Sequence, residues 1–154
     1  MKLTDEFREL LLLFNASGVK YVLVGGYALA YHGHPRATKD IDLHISTDEL
    51  NARRVQDALL RFGFDEAPPL SDITDPQVIL RFGAPPTMVD LIKHIDGVLF
   101  EEAYGSAEEA DIDGVPVRVI NREHLVANKR ASGRYQDLAD LQALGEIPPA
   151  SPPR

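Results

Sequence analysis

Apolar residues recur at Phe7, Leu10, Leu11 and Phe14, the three-and-four spacing that lays one stripe along a helix. Thr4 caps that helix, Asp5 and Glu6 favour the positive end of its dipole, and Gly18 stops it. Val19–Val24 then reads as a short apolar strand buried on both faces, and Tyr27–His32 as a small helix ended by Gly33 and Pro35. Over Thr38–Ile45 the pattern changes to alternation, which predicts a second strand. Strand side chains alternate faces, so Ile41 and Leu43 turn to a core while Asp40 and Asp42 project together from the other side. Ser46 and Glu49 form a capping box for a helix over Asp48–Phe62, and Gly63 terminates it.

Pro68-Pro69 and Asp75-Pro76 frame a loop, after which Val78–Phe82 and Thr87–Lys93 read as neighbouring strands joined by Gly83–Pro86. Leu99–Tyr104 is a short helix, and Ala110–Val119 a hairpin turning at Asp113-Gly114. Asn121 caps a helix over Arg122–Ala131, Ser132-Gly133 interrupts it, and Tyr135–Leu144 is a last helix ending at Gly145. The elements add up to an α/β (α+β) fold: a small mixed sheet of about five strands, helices mainly on one face, and a helical C-terminal cap. A single domain is expected over residues 1–147, followed by a Pro-rich disordered tail over 148–154.

Composition narrows the function only modestly. The 154 residues, 44% apolar and 26% charged, are ordinary for a soluble globule that buries about two-thirds of its unfolded surface. Without cysteine the chain has no disulfide, thiolate metal site or Cys nucleophile, which fits a cytoplasmic setting. The early apolar run Leu10–Phe14 is too short, and too acidic in its flank, for a signal peptide or a membrane span. A net charge of -8 argues against coating nucleic acid nonspecifically, though a local basic patch can still touch one RNA end.

The chemistry lies in Tyr21–Ile45. Asp40 and Asp42 on one strand face repel each other unless a cation sits between them. Mg²⁺ (or Mn²⁺), a hard ion that takes oxygen ligands and keeps places for water and phosphate, suits the pair. Gly25-Gly26, at the end of the preceding strand, can bring backbone N–H groups against a phosphate. Asp90, in the apolar strand Met88-Val89-Asp90-Leu91-Ile92, is the candidate third carboxylate, because a charge there is costly to bury unless it is coordinated or paired. Pairing with an arginine is its alternative role. Three such carboxylates can hold two ions about 3.5–4 Å apart for in-line displacement at phosphorus.

With a Gly-Gly pair, an interval, Asp40-Ile41-Asp42-Leu43 and a later Asp90, the chain resembles the DNA polymerase beta-like nucleotidyltransferase superfamily. More narrowly, Arg36-Ala37-Thr38-Lys39-Asp40-Ile41-Asp42, with the C-terminal run Asn128–Leu141, is similar to the small bacterial stand-alone nucleotidyltransferases, which include toxins of some toxin–antitoxin pairs. The resemblance implies that Asp40, Asp42 and Asp90 bind metal, that Asp90 serves as third ligand or hydroxyl activator, and that Gly25 and Gly26 cradle phosphates. It further implies that Arg36, Thr38 and Lys129 position the nucleotide. The substrate would be an NTP such as ATP, the acceptor a hydroxyl on an RNA end, a protein or a small molecule, and an antitoxin protein a partner. Tyr27, rather than a small hydroxyl residue, follows the second glycine, which leaves the phosphate contacts of the turn to its backbone.

Two other readings stand beside this one. The fold can serve as a non-catalytic nucleotide- or partner-binding module. Alternatively, His44 on the face of Asp40 and Asp42, His94 on that of Asp90, and His32 and His34 could build a mixed His/Asp site for a metal hydrolase. Lys129, Arg130 and Arg134 either grip phosphates or form a solvated face at a helix end, where Asp137 and Asp140 cap the last helix or pair with Arg130 or Arg134. Arg53, Arg54 and Arg61 read as a solvated face.

Overall fold

The apolar run after Lys20 and the alternating segment after Asp40 form the two central strands of the computed structural model, which describes residues 1–147. The expected disordered tail, residues 148–154, lies outside the described residues. In chain order the elements are α1 (Asp5–Ala16), β1 (Tyr21–Val24), α2 (Gly25–Tyr31), β2 (Ile41–Ile45), α3 (Glu49–Phe62), α4 (Leu70–Thr74), β3 (Leu80–Ala84), β4 (Thr87–Ile92), α5 (Phe100–Gly105), β5 (Glu108–Ile112), β6 (Val115–Val119), α6 (Arg122–Ser132) and α7 (Tyr135–Ala143). Among the described residues the strands form one mixed sheet of six, in the order β3-β4-β2-β1-β6-β5. β1 runs antiparallel to β2 and parallel to β6, while β2 and β4 run parallel. The hairpins β3–β4 and β5–β6 complete the two sides.

The helical stripe read from the sequence is the stripe that is buried: Phe7, Leu10, Leu11 and Phe14 of α1 are all in the core. Phe14 packs edge-on against Tyr21 of β1, and Phe7 against Tyr27 of α2. Leu23 pairs with Leu43, and Tyr21 with Ile45, across the two central strands. Phe82 of β3 meets Phe62 and Phe64 at the end of α3. The opposite face carries Asp42, His44 and Asp90, and there α5 sets Phe100 edge-on against the His44 ring at 5.2 Å between centroids. No helix among the described residues is long and apolar enough to cross a membrane.

Several boundaries differ from expectation for physical reasons. β2 starts at Ile41, so Asp40 stands just ahead of the strand rather than within it. The glycine pair is already in the first turn of α2. Asp48, not Ser46, caps α3, accepting from the Asn51 amide at 2.8 Å, because Ser46 instead donates its hydroxyl to Asp48. The proline-framed loop contains α4, whose Ile73 is buried in the core. The predicted hairpin starts two residues earlier than expected, because Glu108 and Glu109 of β5 also pair with β6 along an exposed sheet edge.

Candidate active site

β2 and β4 lie side by side, and their register places Asp42 opposite Asp90. Parallel neighbours with matched alternation send both carboxylates out on one face, while Leu43 and Leu91 turn together into the core. Asp40 reaches the same place from the segment before β2, accepting a hydrogen bond from the Met88 amide at 3.1 Å. The three predicted acids thus converge on one pocket of about 700 Å³, which Gly25, Gly26, Arg36, Thr38 and Lys129 also line.

The two glycines are required by close approach. Gly25 sits at φ +69°, and a Cβ there would overlap the Asp42 carboxylate. A Cβ on Gly26 would lie 2.7 Å from the Thr38 hydroxyl. The hydroxyl itself donates to the Asp40 carbonyl, tying the segment that carries the first aspartate. Only glycine permits both packings.

Arg81 stands among the three acids. The antiparallel register of the β3–β4 hairpin puts it opposite Asp90, with Nη1 at 3.2 and 3.0 Å from the two Asp90 oxygens and Nη2 at 3.1 Å from Asp40 Oδ2. Asp42 has no such partner. Burial raises its pKa to about 7, and repulsion and a shared hydrogen bond with Asp90, then the charge of Asp40, add to the rise against a smaller opposing effect of Arg134.

On the other wall, Lys129 of α6 is only 4% exposed, not on a solvated face. Its Nζ lies 2.7 Å from Asp140 and 3.8 Å from Asp137 on α7. Arg36 (Nε at 2.9 Å) and Gln136 (3.0 Å) bind the same Asp140 carboxylate. Asp137 instead holds the Arg134 side chain at 2.8 Å and its backbone amide at 3.1 Å, a cap for α7. Burial pushes both Asp137 and Asp140 upward, but their hydrogen bonds outweigh it and hold both carboxyls below the usual range. Arg130 turns away to Glu146. Arg36 and Lys129 therefore line the pocket with their charges committed to Asp140, while Arg134 keeps a side chain 77% exposed at its mouth.

The histidines do not assemble. His44 Nε2 bonds the Lys93 carbonyl and its Nδ1 has no partner, His32 bonds the Ile120 carbonyl, and His94 pairs with Asp96. Burial lowers the pKa of His44 to about 4. Among the described residues no group of three His, Cys, Asp or Glu is arranged as metal ligands; Asp40 is held by Arg81 and the Met88 amide, and Asp90 by Arg81. The Asp42–Asp90 pair nevertheless fits a hard divalent cation: its donors are carboxylate oxygens, and it is short of positive charge.

A family model described as "Nucleotidyl transferase of unknown function (DUF2204)" matches residues 3–150. The chain belongs to this family. Among solved structures, this nucleotidyl transferase family member is similar to a protein of Thermotoga maritima provisionally assigned as a nucleotidyltransferase. The two share 16% identity over 92% of this chain and 91% of that one, at a TM-score of 0.58. It is also similar to the antibiotic-resistance factor ANT(2'')-Ia. The solution structure gives 17% identity, coverage of 90% and 80%, and a TM-score of 0.56. The crystal structure with adenylyl-2''-tobramycin gives 20%, coverage of 96% and 79%, and 0.51. At these identities the likeness establishes the nucleotidyltransferase fold. No curated protein matches the chain.

For this family member, sequence reasoning had named Arg134 as a phosphate-gripping candidate but missed Arg81, Asn128, Gln136, Ile79 and Ile92, which also line the pocket. Arg81 was within reach of it: a hairpin pairing Ala84 with Thr87 must set Arg81 against Asp90. Gln136 and Asn128 carried no pattern, since only the mutual packing of α6 and α7 brings them to the pocket.

Proposed function

We propose that the chain transfers a nucleoside monophosphate from an NTP to a hydroxyl acceptor, with a divalent cation held by Asp42 and Asp90 and approached by Asp40. The observation that carries this reading is the register of β2 on β4, which sets two carboxylates side by side against the glycine turn. When bound, Mg²⁺ would supply charge neutralisation at the phosphates and acidify the attacking hydroxyl. Gly25 and Gly26 line the same pocket at the start of α2, where first-turn amides have no helical acceptor and so suit phosphate oxygens. The missing Cβ of Gly25 leaves room for the Asp42 carboxylate, so an ion bound by Asp42 would sit beside the turn and could bridge to phosphates there. Asp90, whose side chain is 13% exposed, is placed to hold the ion or to take the hydroxyl proton. Arg134 at the mouth can turn from Asp137 to a phosphate.

The test is incubation of the protein with each α-labelled NTP and Mg²⁺, offering total RNA, total protein and aminoglycoside-like small molecules in separate arms. Label should pass to one acceptor pool with release of pyrophosphate. Asp42→Asn should cut transfer by about 10³-fold, the ~4 kcal/mol that charge stabilisation at a transferring phosphoryl group is worth. Full activity of that variant would exclude the mechanism. The non-catalytic reading draws on one observation, the Arg81 guanidinium between Asp40 and Asp90. It requires nucleotide binding with no pyrophosphate released.

A further inference from the structure

We propose that Arg81 is a displaceable cation, which holds Asp40 and Asp90 until a divalent ion is seated and then turns to the triphosphate of the nucleotide. The inference rests on the reading of the pocket as a nucleotidyl-transfer site. A guanidinium presents its donors in a planar fork, and here the fork spans two carboxylates from different segments, doubly on Asp90 and singly on Asp40. It thereby occupies the charge that a cation shared by these acids must satisfy. Its own position is loosely held. β3 is a sheet edge whose one neighbouring strand is β4, and the Arg81 side chain is 52% exposed, against 35% for Asp40 and 13% for Asp90. At the Asp40 end the pair is open to solvent, where ion pairs are weak and screened, so a divalent ion can begin to displace the guanidinium there.

Once displaced, the long side chain stays tethered opposite Asp90, within the pocket where the phosphates are expected. The wall offers few other cations for them. Lys129 and Arg36 are both tied to Asp140, which leaves Arg81 and Arg134 as the more exposed cations of the pocket. A guanidinium takes phosphate oxygens in pairs, as it takes a carboxylate. Arg81 thus links the two ligands: the ion releases it, the nucleotide captures it, and each favours binding of the other.

The test compares wild type with Arg81→Gln, with thermal melting to show that both are folded. Mn²⁺ binding is read by electron paramagnetic resonance without nucleotide, and binding of a non-hydrolysable α,β-methylene NTP by calorimetry with Mg²⁺. Removing the competitor should tighten Mn²⁺ binding about fivefold or more, and loss of the phosphate contact should weaken the analogue by a similar factor. Arg81→Lys keeps the charge but cannot fork two carboxylates, so it should give an intermediate gain in Mn²⁺ affinity. It serves as the deciding variant if Arg81→Gln does not fold. Wild-type Mn²⁺ binding that neither variant changes, or analogue binding that is unaltered, overturns the role of Arg81 and leaves the transfer reading standing. No Mn²⁺ binding by any of the proteins overturns both.

Discussion

A single missing methyl group shapes the pocket. Asp42 can approach the turn only because Gly25 has no Cβ, and the turn itself needs φ +69°. Alanine at this position incurs two separable penalties: backbone strain of about 1 kcal/mol, and displacement of the Asp42 carboxylate. Gly33 offers the control, since its φ is +93° but nothing lies within 4 Å of its would-be Cβ. Gly25→Ala and Gly33→Ala should both lower the melting temperature by a few degrees, as ~1 kcal/mol does in a domain of this size. Only Gly25→Ala should also reduce nucleotidyl transfer, by about a hundredfold or more. Parallel melting curves and initial rates decide it, and equal activity of the two variants would show that the glycine serves the turn alone.

Between elements, a buried tie outside the sheet is the Asp140 carboxylate, which receives Lys129 from α6, Arg36 from the segment before β2, and Gln136 from its own helix. Removing one partner of a buried charge network strands the other, at a cost of about 3 kcal/mol or more. Asp140→Asn should therefore destabilise the protein by roughly that amount in urea titrations. The double variant Asp140→Asn/Lys129→Gln should recover part of the loss, because the stranded ammonium is gone. An additive double variant would mean that the pair is not coupled. This network was not legible in the sequence: Arg36 and Asp140 lie 104 residues apart, and nothing local records that α7 folds back over α6. The Asp42–Asp90 pairing was legible, because two apolar strands interrupted by acids have few places to put them except on one shared face. Arg81 is the intermediate case, fixed by counting outward from a hairpin turn that the prolines mark. The five-residue α4 lay hidden between prolines, too short for any periodicity to show.

For the whole molecule, stability between about pH 4 and 7 turns on a half-buried aspartate and a buried histidine on one strand, which titrate in opposite senses. Burial and the neighbouring acids raise Asp42 from 3.8 to about 7, so the folded chain binds more protons here than the unfolded one. That contribution is complete below the unfolded pKa and is lost as pH rises through about 7. His44 runs the other way. Burial lowers it from 6.5 to about 4, so its contribution is complete above 6.5 and is lost as pH falls toward 4. Asp48, Asp113, Asp137 and Asp140, all held low, matter only as pH falls from about 4. Between pH 4 and 6.5 the aspartate and the histidine oppose each other, and above 6.5 only the aspartate remains. In a chelating buffer the urea midpoint of the wild type should stay nearly level from pH 4.5 to 6. It should then fall between 6.5 and 7.5, with a slope of at most about 1.4 kcal/mol per pH unit. Asp42→Asn removes one arm of this balance, so its stability should climb from pH 4 to 6.5 under His44 and then level off. A variant curve that tracks the wild type above pH 6.5 would show that Asp42 is not the group titrating, and that the charge deficit beside Asp90 is already met within the fold.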